Sequence, residues 1–262
     1  MIYMDKQALE YCKNRYRKTK GFELNLENPK YFTEKIQWKK FFDHNPAYTI
    51  TSDKLAIYSY LGAINSPVMP PMLLASTSLP EIPRGLPDKW IAKANHGSGW
   101  NFTHEEKTPR LKMKSWLNQK YAPLAGEWAY KDIEPVIIFQ EYLENPVEYK
   151  FFVFRGEVGM IQHLTYGIKP TIANYDKDWN YLDVFWVYEK GTPTLKPDKF
   201  DEMTEAAKYL GIFDFARIDF MVAGGKVYLS EITHYPTSGF QNIKPLEFDL
   251  LLGEKYEIKR TI

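Results

Sequence analysis

The sequence lacks most of the features that would place a protein in a special class. Of its 262 residues only Cys12 is a cysteine, which excludes an intrachain disulfide and a cysteine-rich zinc site and is typical of a reducing compartment. The five histidines do not have the spacing of a metal site. Lysine and arginine number 34 against 33 aspartates and glutamates, so the net charge gives no reason to expect nucleic acid as a partner.

Long apolar runs are missing as well. The longest stretch without a charged residue, 55–80, contains four prolines, whereas a membrane-spanning helix needs about 20 consecutive apolar residues. We therefore expect no transmembrane segment. The first residues carry a charge at Asp5 and no apolar run, so we also expect no signal peptide and a cytoplasmic protein.

What the sequence does contain indicates a globular α+β protein. Apolar residues make up 44% and charged residues 26%, a balance typical of globular domains, and the length allows one large domain or two joined ones. Apolar spacing and capping residues predict helices at 5–20, 32–42, 109–121 and 198–210. A further helix is predicted to run through Leu61, with its N-cap side chain among residues 51–53. Short apolar or alternating runs predict strands at 68–74, 89–94, 136–140, 148–155, 158–164, 181–188, 213–222 and 226–232.

The start of the chain is basic. Residues 1–40 contain ten lysines or arginines and five aspartates or glutamates. Two interpretations stay open: a solvated helical face, or a patch that attracts anionic ligands or the surface of a membrane.

A first candidate motif joins Lys93 to the glycine-rich run 97–99, directly after a predicted strand. Glycines let backbone N–H groups turn toward an anion, and the lysine supplies a positive charge, so the motif suits a polyphosphate. An ordinary turn is the alternative. The motif is not a P-loop, because Gly-x-x-x-x-Gly-Lys-Ser/Thr is absent.

A second candidate motif lies at 139–148, where an apolar strand ends in a polar corner with Glu141 and Glu148 seven residues apart. Backbone groups at such a corner could face an adenine edge, and the second carboxylate could accept hydrogen bonds from ribose hydroxyls. A loop with solvated acids is the alternative.

The third motif places Arg217 and Asp219 on one face of a predicted strand. A hairpin through Gly224-Gly225 would bring Glu231 of the next strand close to Asp219. Two carboxylates that face the same way repel each other and are costly to desolvate, so a cation between them is expected. Mg²⁺ commonly takes one or two carboxylates together with substrate phosphates. Surface acids on strands are the alternative.

Other catalytic signatures are absent. The sequence contains no Gly-x-Gly-x-x-Gly, no Gly-x-Ser-x-Gly and no His-x-x-x-His. These absences disfavour a Rossmann dinucleotide site, a serine-hydrolase elbow and a zinc-protease helix.

The order of the motifs resembles the ATP-grasp superfamily, and more narrowly its TupA-like branch, which is named for teichuronopeptide biosynthesis. The stretches that carry the closer resemblance are 28–30, 32–38, 45–46, 53–54, 93–99, 127–131, 149–152, 217–219 and 238–240. The resemblance implies two α+β lobes, 51–140 and 141–262, that clasp ATP. A short helical segment, 1–50, stands in place of a full domain ahead of them.

The resemblance also implies a reaction and roles for residues. ATP phosphorylates a carboxylate to an acylphosphate, and an amine then attacks it to give an amide. The implied ATP contacts are Lys54, Lys93, Gly97, Ser98, Gly99, Glu141, Tyr142, Leu143 and Glu148, with Lys93 and Arg217 acting in catalysis. The implied Mg²⁺ ligands are Asp219, Glu231 and Thr233. Thr233 stands where many family members have asparagine, so the number of metal ions stays open.

The branch implies a role in cell-surface polysaccharide assembly, such as capsule, in which an amino acid or peptide is joined to a uronic-acid carboxyl. The substrates would be a small-molecule or saccharide carboxylate and an amine; candidates for the acceptor pocket are Lys150, Arg155, His163, His234 and Ser238. Two alternatives stay open: a sugar kinase with His163 or His234 as general base, and a nucleotide-binding protein without catalysis. The oligomeric state is left undetermined.

Overall fold

The computed structural model of the chain describes residues 5–121 and 125–258. These residues form seven α-helices: α1 (Lys6–Lys20), α2 (Phe32–Phe42), α3 (Pro46–Ser52), α4 (Ala56–Ala63), α5 (Pro109–Leu117), α6 (Phe200–Leu210) and α7 (Leu246–Lys255). They also form thirteen strands: β1 (Leu73–Thr77), β2 (Trp90–Ala94), β3 (Asn101–Thr103), β4 (Ile137–Glu141), β5 (Val147–Phe154), β6 (Glu157–Thr165), β7 (Thr171–Tyr175), β8 (Tyr181–Leu182), β9 (Phe185–Trp186), β10 (Glu189–Lys190), β11 (Ala216–Ala223), β12 (Lys226–Thr233) and β13 (Ile243–Lys244). Within the described ranges, no helix is long and apolar enough to span a bilayer.

The strands form two main sheets. The four-stranded sheet has the order β1-β4-β2-β3 and is antiparallel. The seven-stranded sheet has the order β10-β7-β6-β5-β11-β12, with β8 paired to β7; its β10–β7 pair is parallel and its other pairs are antiparallel. Helices together with largely antiparallel sheets confirm the predicted α+β class.

Each sheet has its own hydrophobic core. In the four-stranded sheet, alternate residues of β2 pack against Met113 and Trp116 of α5. In the seven-stranded sheet, the strand residues pack against α6, with Met203 and Leu210 fully or almost fully buried. This alternation leaves the opposite face of β2, which includes Lys93, free for other contacts.

The helical front end is attached to the second half of the chain. Helix α1 buries Ala8, Cys12 and Tyr16, one stripe at helical spacing. Asp249 of α7 accepts hydrogen bonds from the backbone N–H of Thr33 (2.9 Å) and from Lys20 Nζ (2.9 Å). The division into 1–50, 51–140 and 141–262 stays a prediction.

Among the predicted helices, 32–42 has the bounds of α2, and the helix predicted to run through Leu61 is α4. Helix α3 ahead of it was not predicted; Asn45 caps α3 through Ala47 N–H (3.0 Å) and Pro46 starts it. Asp53 ends α3 and then caps α4, accepting from Leu55 N–H at 2.8 Å.

Two strand predictions are wrong. The segment 68–74 enters β1 only at Leu73, because Pro70 and Pro71 have no N–H to donate to a ladder; Met69 instead accepts from Leu229 N–H of β12 at 3.0 Å. The segment 181–188 contains two strands of two residues each, β8 and β9, and Val187 after them has a φ of 74° that no extended strand allows. Strands β3 and β7 and helix α7 were not predicted.

Candidate active site

The glycine-rich loop after β2 is fixed to the start of α4 through Asn95. Asn95 donates from Nδ2 to Asp53 Oδ1 (3.0 Å) and to Glu134 O (3.0 Å), and accepts from Val136 N–H (2.8 Å). Lys54, which follows Asp53 in the chain, donates from Nζ to Gly97 O at 2.8 Å. The two segments predicted from the sequence to contact phosphates, 53–54 and 93–99, are therefore one structural unit.

Glycine is required in this loop for two different reasons. A Cβ on Gly97 would lie 2.5 Å from the Trp100 ring, so no side chain fits there. Gly99 has a φ of 70°, which side chains other than glycine rarely adopt. Ser98 between them is exposed, so the loop presents its backbone and one hydroxyl to the outside.

Lys93 and Lys54 meet at a small cavity between the two sheets. The cavity is lined from the first sheet by Lys93 and Gln140 and from the second by Leu229 and Glu231. Burial and the neighbouring Lys54 lower the pKa of Lys93 to about 8. The cavity is thus electropositive and desolvated, although Lys54 Nζ lies 3.5 Å from Glu231 Oε2.

The end of β4 contributes a buried acceptor that sequence analysis did not single out. Gln140 is buried and donates from Nε2 to the Tyr58 hydroxyl at 2.6 Å. Its Oε1 has no hydrogen-bond partner among the described residues. A buried, unpaired acceptor is costly, and here it borders the same cavity as Lys93.

The predicted adenine-binding corner begins directly after Gln140. Glu141 is bonded twice to Met72: Oε1 accepts from Met72 N–H and Glu141 N–H donates to Met72 O, both at 2.9 Å. Tyr142 is 38% exposed. Glu148, the predicted ribose contact, accepts from Lys150 Nζ (2.8 Å) and from the Tyr166 hydroxyl.

The predicted hairpin through Gly224-Gly225 is present and pairs Asp219 with Glu231. On the other side of β11, Lys150 of β5 pairs with Asp219. Lys150 therefore lies between two carboxylates: its Nζ is 2.8 Å from Glu148 Oε1 and 3.5 Å from Asp219 Oδ2.

Arg217 lies at the centre of this charged group. Its guanidinium donates to both oxygens of Asp219 (2.6 and 2.5 Å), to Glu231 Oε1 (2.9 Å) and to Thr233 Oγ1 (3.2 Å). Charge-assisted, two-pronged contacts of this kind are strong and directional. In this structure the arginine supplies the cation that the paired carboxylates were predicted to need.

The charges set the protonation states. Burial would raise the pKa of Glu231, but Lys54 and Arg217 hold the pKa of that carboxyl well below its usual range. Burial raises the pKa of Asp219, which Arg217 and Lys150 oppose. Glu231 is therefore an anion at neutral pH, and Asp219 depends on its two cationic neighbours to stay ionised.

The donor set fits Mg²⁺ by chemistry. Asp219, Glu231 and Thr233 offer carboxylate and hydroxyl oxygens on adjacent strands, and oxygen is the ligand atom that Mg²⁺ prefers. Within the described ranges, no group of three or more His, Cys, Asp or Glu is placed to hold a metal ion, so the substrate would have to supply further ligands.

A larger cleft of about 450 Å³ adjoins this group. Arg217, Glu231 and Lys150 line it, and so do Ser238 and Glu127. Glu231 also borders the smaller cavity, so one carboxylate connects the two spaces.

Two of the five residues predicted for the acceptor pocket, Lys150 and Ser238, line the large cleft. Arg155 lies in the β5–β6 turn and is ion-paired with Asp214 (3.0 Å) and Glu257.

The two histidines proposed for the acceptor pocket occupy structural positions. His234 is fully buried, its Nε2 lies 2.8 Å from Thr51 Oγ1, and burial lowers the pKa of its imidazole. His163 is half-buried and stacks on Tyr149 with ring centres 5.0 Å apart.

Sequence analysis assigned no role to Gln140 or Glu127, which border the two spaces. Glu127 is 9% exposed and belongs to the run Glu-Trp-Ala-Tyr, which was noted only for its resemblance to the family. A charged residue at the head of an aromatic run was the available signal.

Comparison with known proteins gives one family and several distant structures. The family model "TupA-like ATPgrasp" matches residues 34–257. No curated protein matches the chain.

Among solved structures, D-alanine–D-alanine ligase from Bacillus anthracis with ATP is similar at 16% identity and a TM-score of 0.44, over 71% of this chain and 55% of that one. L-amino acid ligase from Bacillus licheniformis is similar at 14% identity and a TM-score of 0.45, over 71% and 44%. D-alanine–D-alanine ligase from Helicobacter pylori gives 12% and 0.45, over 80% and 60%. The chain thus spans about half of the length of these proteins.

Proposed function

The chain belongs to the TupA-like ATP-grasp family, and from that premise we propose that it is an ATP-dependent ligase that joins a carboxylate to an amine through an acylphosphate. In this reaction a carboxylate oxygen attacks the γ-phosphorus of ATP and ADP leaves. The amine then attacks the acyl carbon, and phosphate leaves with that oxygen. The products are an amide, ADP and phosphate.

The proposal rests on one observation above all: Lys54 and Lys93 line the same cavity between the two sheets. Two lysines in a desolvated space are unfavourable in the free protein, as the lowered pKa of Lys93 indicates. A polyphosphate would relieve that repulsion. The Gly97–Gly99 loop beside them supports the same role, because its backbone can approach phosphates closely.

The adenine is proposed to lie against the end of β4. Gln140 Oε1, buried without a partner among the described residues, could accept from an exocyclic amine. The chain from Glu141 to Leu143 would hold the base by its backbone, since the Glu141 carboxylate is bonded to Met72. Glu148 would hold the ribose; its two present donors leave further lone pairs of the carboxylate available.

Asp219, Glu231 and Thr233 are proposed to hold Mg²⁺ together with the phosphates of ATP. The ion would supply charge neutralisation on the oxygens of the phosphoryl group during transfer. Arg217, which now bonds to Asp219 and Glu231, would donate to the transferred phosphoryl group instead. Lys93 would orient the phosphates by its charge.

The substrates and their setting are proposed from the family branch. The acceptor would be a uronic-acid carboxyl of a cell-surface polysaccharide precursor, and the amine an amino acid or peptide. We propose that the reaction takes place in the cytoplasm, in agreement with the lone cysteine, Cys12. The lobe boundaries at 50/51 and 140/141 are proposed on the same basis.

The kinase alternative has less support. A kinase that phosphorylates a sugar hydroxyl needs a general base beside that hydroxyl. His234 is fully buried next to Thr51, and its lowered pKa makes its charged form unfavourable. His163 stacks on Tyr149.

The test is trapping of the activated carboxylate by hydroxylamine. The full chain is incubated with Mg²⁺, ATP, hydroxylamine and a series of uronic acids, free and as nucleotide sugars, and hydroxamate and phosphate are measured. We expect equimolar hydroxamate and phosphate with at least one uronic acid, and loss of both in Lys93→Met. Lys89→Met, an exposed lysine of the same region that pairs with Glu144, is the control. Phosphate without hydroxamate, or a stable sugar phosphate, would contradict the proposal.

A further inference from the structure

The large cleft contains a second group of charged residues that the proposed reaction does not use. Arg15 of α1, Lys40 of α2, Glu127 and Ser238 come from four separate segments of the chain. Arg15, Glu127 and Ser238 line the cleft. Arg217 and Glu231 line the same cleft, so the second group and the Arg217–Glu231 group belong to one continuous space.

The turn that carries Ser238 has an unusual backbone. Thr237 and Ser238 have φ values of 53° and 55°, in the left-handed region that favours glycine. Two side chains on one face of α2 hold this turn: Gln37 Nε2 (2.8 Å) and Lys40 Nζ (3.0 Å) both donate to Ser238 O. Such conformations persist where the surroundings over-determine them, and they cluster at ligand-binding sites.

Lys40 fixes the Ser238 hydroxyl as well. Its Nζ is buried and lies 3.2 Å from Ser238 Oγ and 3.6 Å from Cys12 Sγ. The ammonium group has three hydrogens, so its donors are directed at Ser238 and Cys12. The Ser238 hydroxyl, which accepts from Lys40, is bonded to the Glu127 carboxyl.

Glu127 is therefore a positioned carboxylate in the wall of the cleft. It is nine-tenths buried, and this burial raises the pKa of its carboxyl, an effect that Lys40 and the Ser238 hydroxyl oppose. Ser238 occupies one of about four acceptor positions of the carboxylate. The remaining positions suit a cation that enters from the cleft, because a desolvated carboxylate gains most from a charged donor.

Arg15 offers the opposite charge in the same cleft. Its guanidinium carbon lies 4.4 Å from the centre of the Phe240 ring, and Nη1 donates to the Tyr11 hydroxyl at 2.8 Å. Stacking on an aromatic ring orients the guanidinium and leaves donors for a planar anion such as a carboxylate. Its charge also acts on Glu127.

We propose that this part of the cleft binds the amine substrate and selects an α-amino acid, with the ammonium group on Glu127 and the carboxylate on Arg15. The inference rests on the proposed ligase function for the fate of the amine. The proposed function already gives an amino acid or a peptide as the amine, and the inference adds the residues that recognise it. Ser238 and Lys40 are positioning residues for Glu127.

Binding is measured by calorimetry on the full chain with Mg²⁺ and a non-hydrolysable ATP analogue. The probes are the twenty common α-amino acids, and then two derivatives of the tightest binder: its carboxamide, which lacks the anionic group, and its N-acetyl form, which lacks the ammonium group. We expect at least one amino acid to bind, and we expect both derivatives to bind at least about 10-fold more weakly than that amino acid.

Variants assign each charge to a residue. Arg15→Gln should lower the affinity for the amino acid about 10-fold and leave the affinity for its carboxamide unchanged. Glu127→Gln should lower the affinity for the amino acid about 30-fold or more and leave the affinity for the N-acetyl form unchanged. Glu127→Gln also removes a negative charge that favours the charged form of Lys40, so Glu127→Asp serves as a second variant that keeps the charge. Its affinity for the amino acid should lie between the affinities of the wild type and of Glu127→Gln. Arg17→Gln, on the same helix and paired with Glu23 at 3.3 Å, is the control.

The outcomes separate this inference from the proposed function. No binding of any amino acid up to about 10 mM, or unchanged binding in Arg15→Gln and Glu127→Gln, would overturn the inference, while hydroxamate formation would still support the ligase. The expected binding pattern without hydroxamate formation would support the amino-acid site and overturn the ligase.

Discussion

Replacing Lys93 with methionine removes a charge that the free protein holds at a cost. The pKa of Lys93 falls from 10.5 to about 8 in the folded chain, because of burial and the charge of Lys54. A folded-state pKa below the unfolded value means that the unfolded chain binds the proton more tightly. The charge therefore destabilises the folded state below pH 8, and this penalty disappears as the pH rises toward 10.5.

At 1.36 kcal/mol per pKa unit, the penalty at pH 7 is about 3 kcal/mol. Methionine keeps the apolar stem of lysine, but the attraction of the ammonium to Glu231 and Glu148 is lost. We expect Lys93→Met to raise the free energy of unfolding by about 1–3 kcal/mol, which for a chain of this size raises Tm by about 3–8 °C. The proposed phosphate-binding role of Lys93 would therefore come at the expense of stability.

The assay is thermal unfolding at pH 7 with and without Mg²⁺ and ATP. Without nucleotide, Lys93→Met should melt above the wild type; with nucleotide, the wild type should gain stability and the variant should not. Lys89→Met, fully exposed to solvent, should behave as the wild type in both conditions. A variant that melts lower without nucleotide, or that keeps the ATP-dependent gain, would refute the reasoning.

Three further predictions follow from individual contacts. Gly97→Ala should reduce ATP affinity at least about 10-fold, because its Cβ would lie 2.5 Å from the Trp100 ring; Gly62→Ala, where nothing lies within 4 Å, should leave ATP affinity unchanged, and calorimetry with ATP compares them. Glu231→Gln should lower Mg²⁺-dependent ATP turnover about 100-fold or more, because one of the two carboxylates proposed to hold Mg²⁺ is lost; turnover at the wild-type rate would exclude Glu231 from the site. The folded-state pKa of His234 lies well below 6.5, so the unfolded chain takes up its proton first and stability should fall as the pH drops below 6.5; His234→Gln should flatten this dependence in urea unfolding series, and an equal slope in both proteins would contradict the assignment.

Much of the fold was predictable because local signals agreed with tertiary packing. Helix α2 has the predicted bounds, and the hairpin at Gly224-Gly225 pairs Asp219 with Glu231 as the alternation required. The signals failed where backbone chemistry competed with hydrophobic pattern. Prolines kept 68–72 out of a strand, and the left-handed Val187 divided the segment 181–188. Predictions from the spacing of apolar residues take neither of these backbone effects into account.

The candidate site was predictable in its strand residues and less so in its other parts. Lys93, Asp219 and Glu231 follow from motif and alternation. Lys93 and Glu231 line the small cavity, Glu231 also lines the large cleft, and Asp219 is paired with Glu231 across two strands. The sequence could not predict that Arg217 bonds to both acids, because that depends on the register of two strand pairs. Glu127 lies beside Ser238 only through the path of the whole chain.

The central claim, transfer of a phosphoryl group to a carboxylate that is then displaced by an amine, is tested most directly with an oxygen label. A uronic acid that gives hydroxamate is prepared with ¹⁸O in its carboxyl group and incubated with the chain, Mg²⁺, ATP and an amino acid, and the phosphate released is analysed by mass spectrometry. The account predicts one ¹⁸O atom in each phosphate, because the carboxylate oxygen leaves with the phosphoryl group. Phosphate without the label, or a label that stays in a phosphorylated sugar, would contradict it.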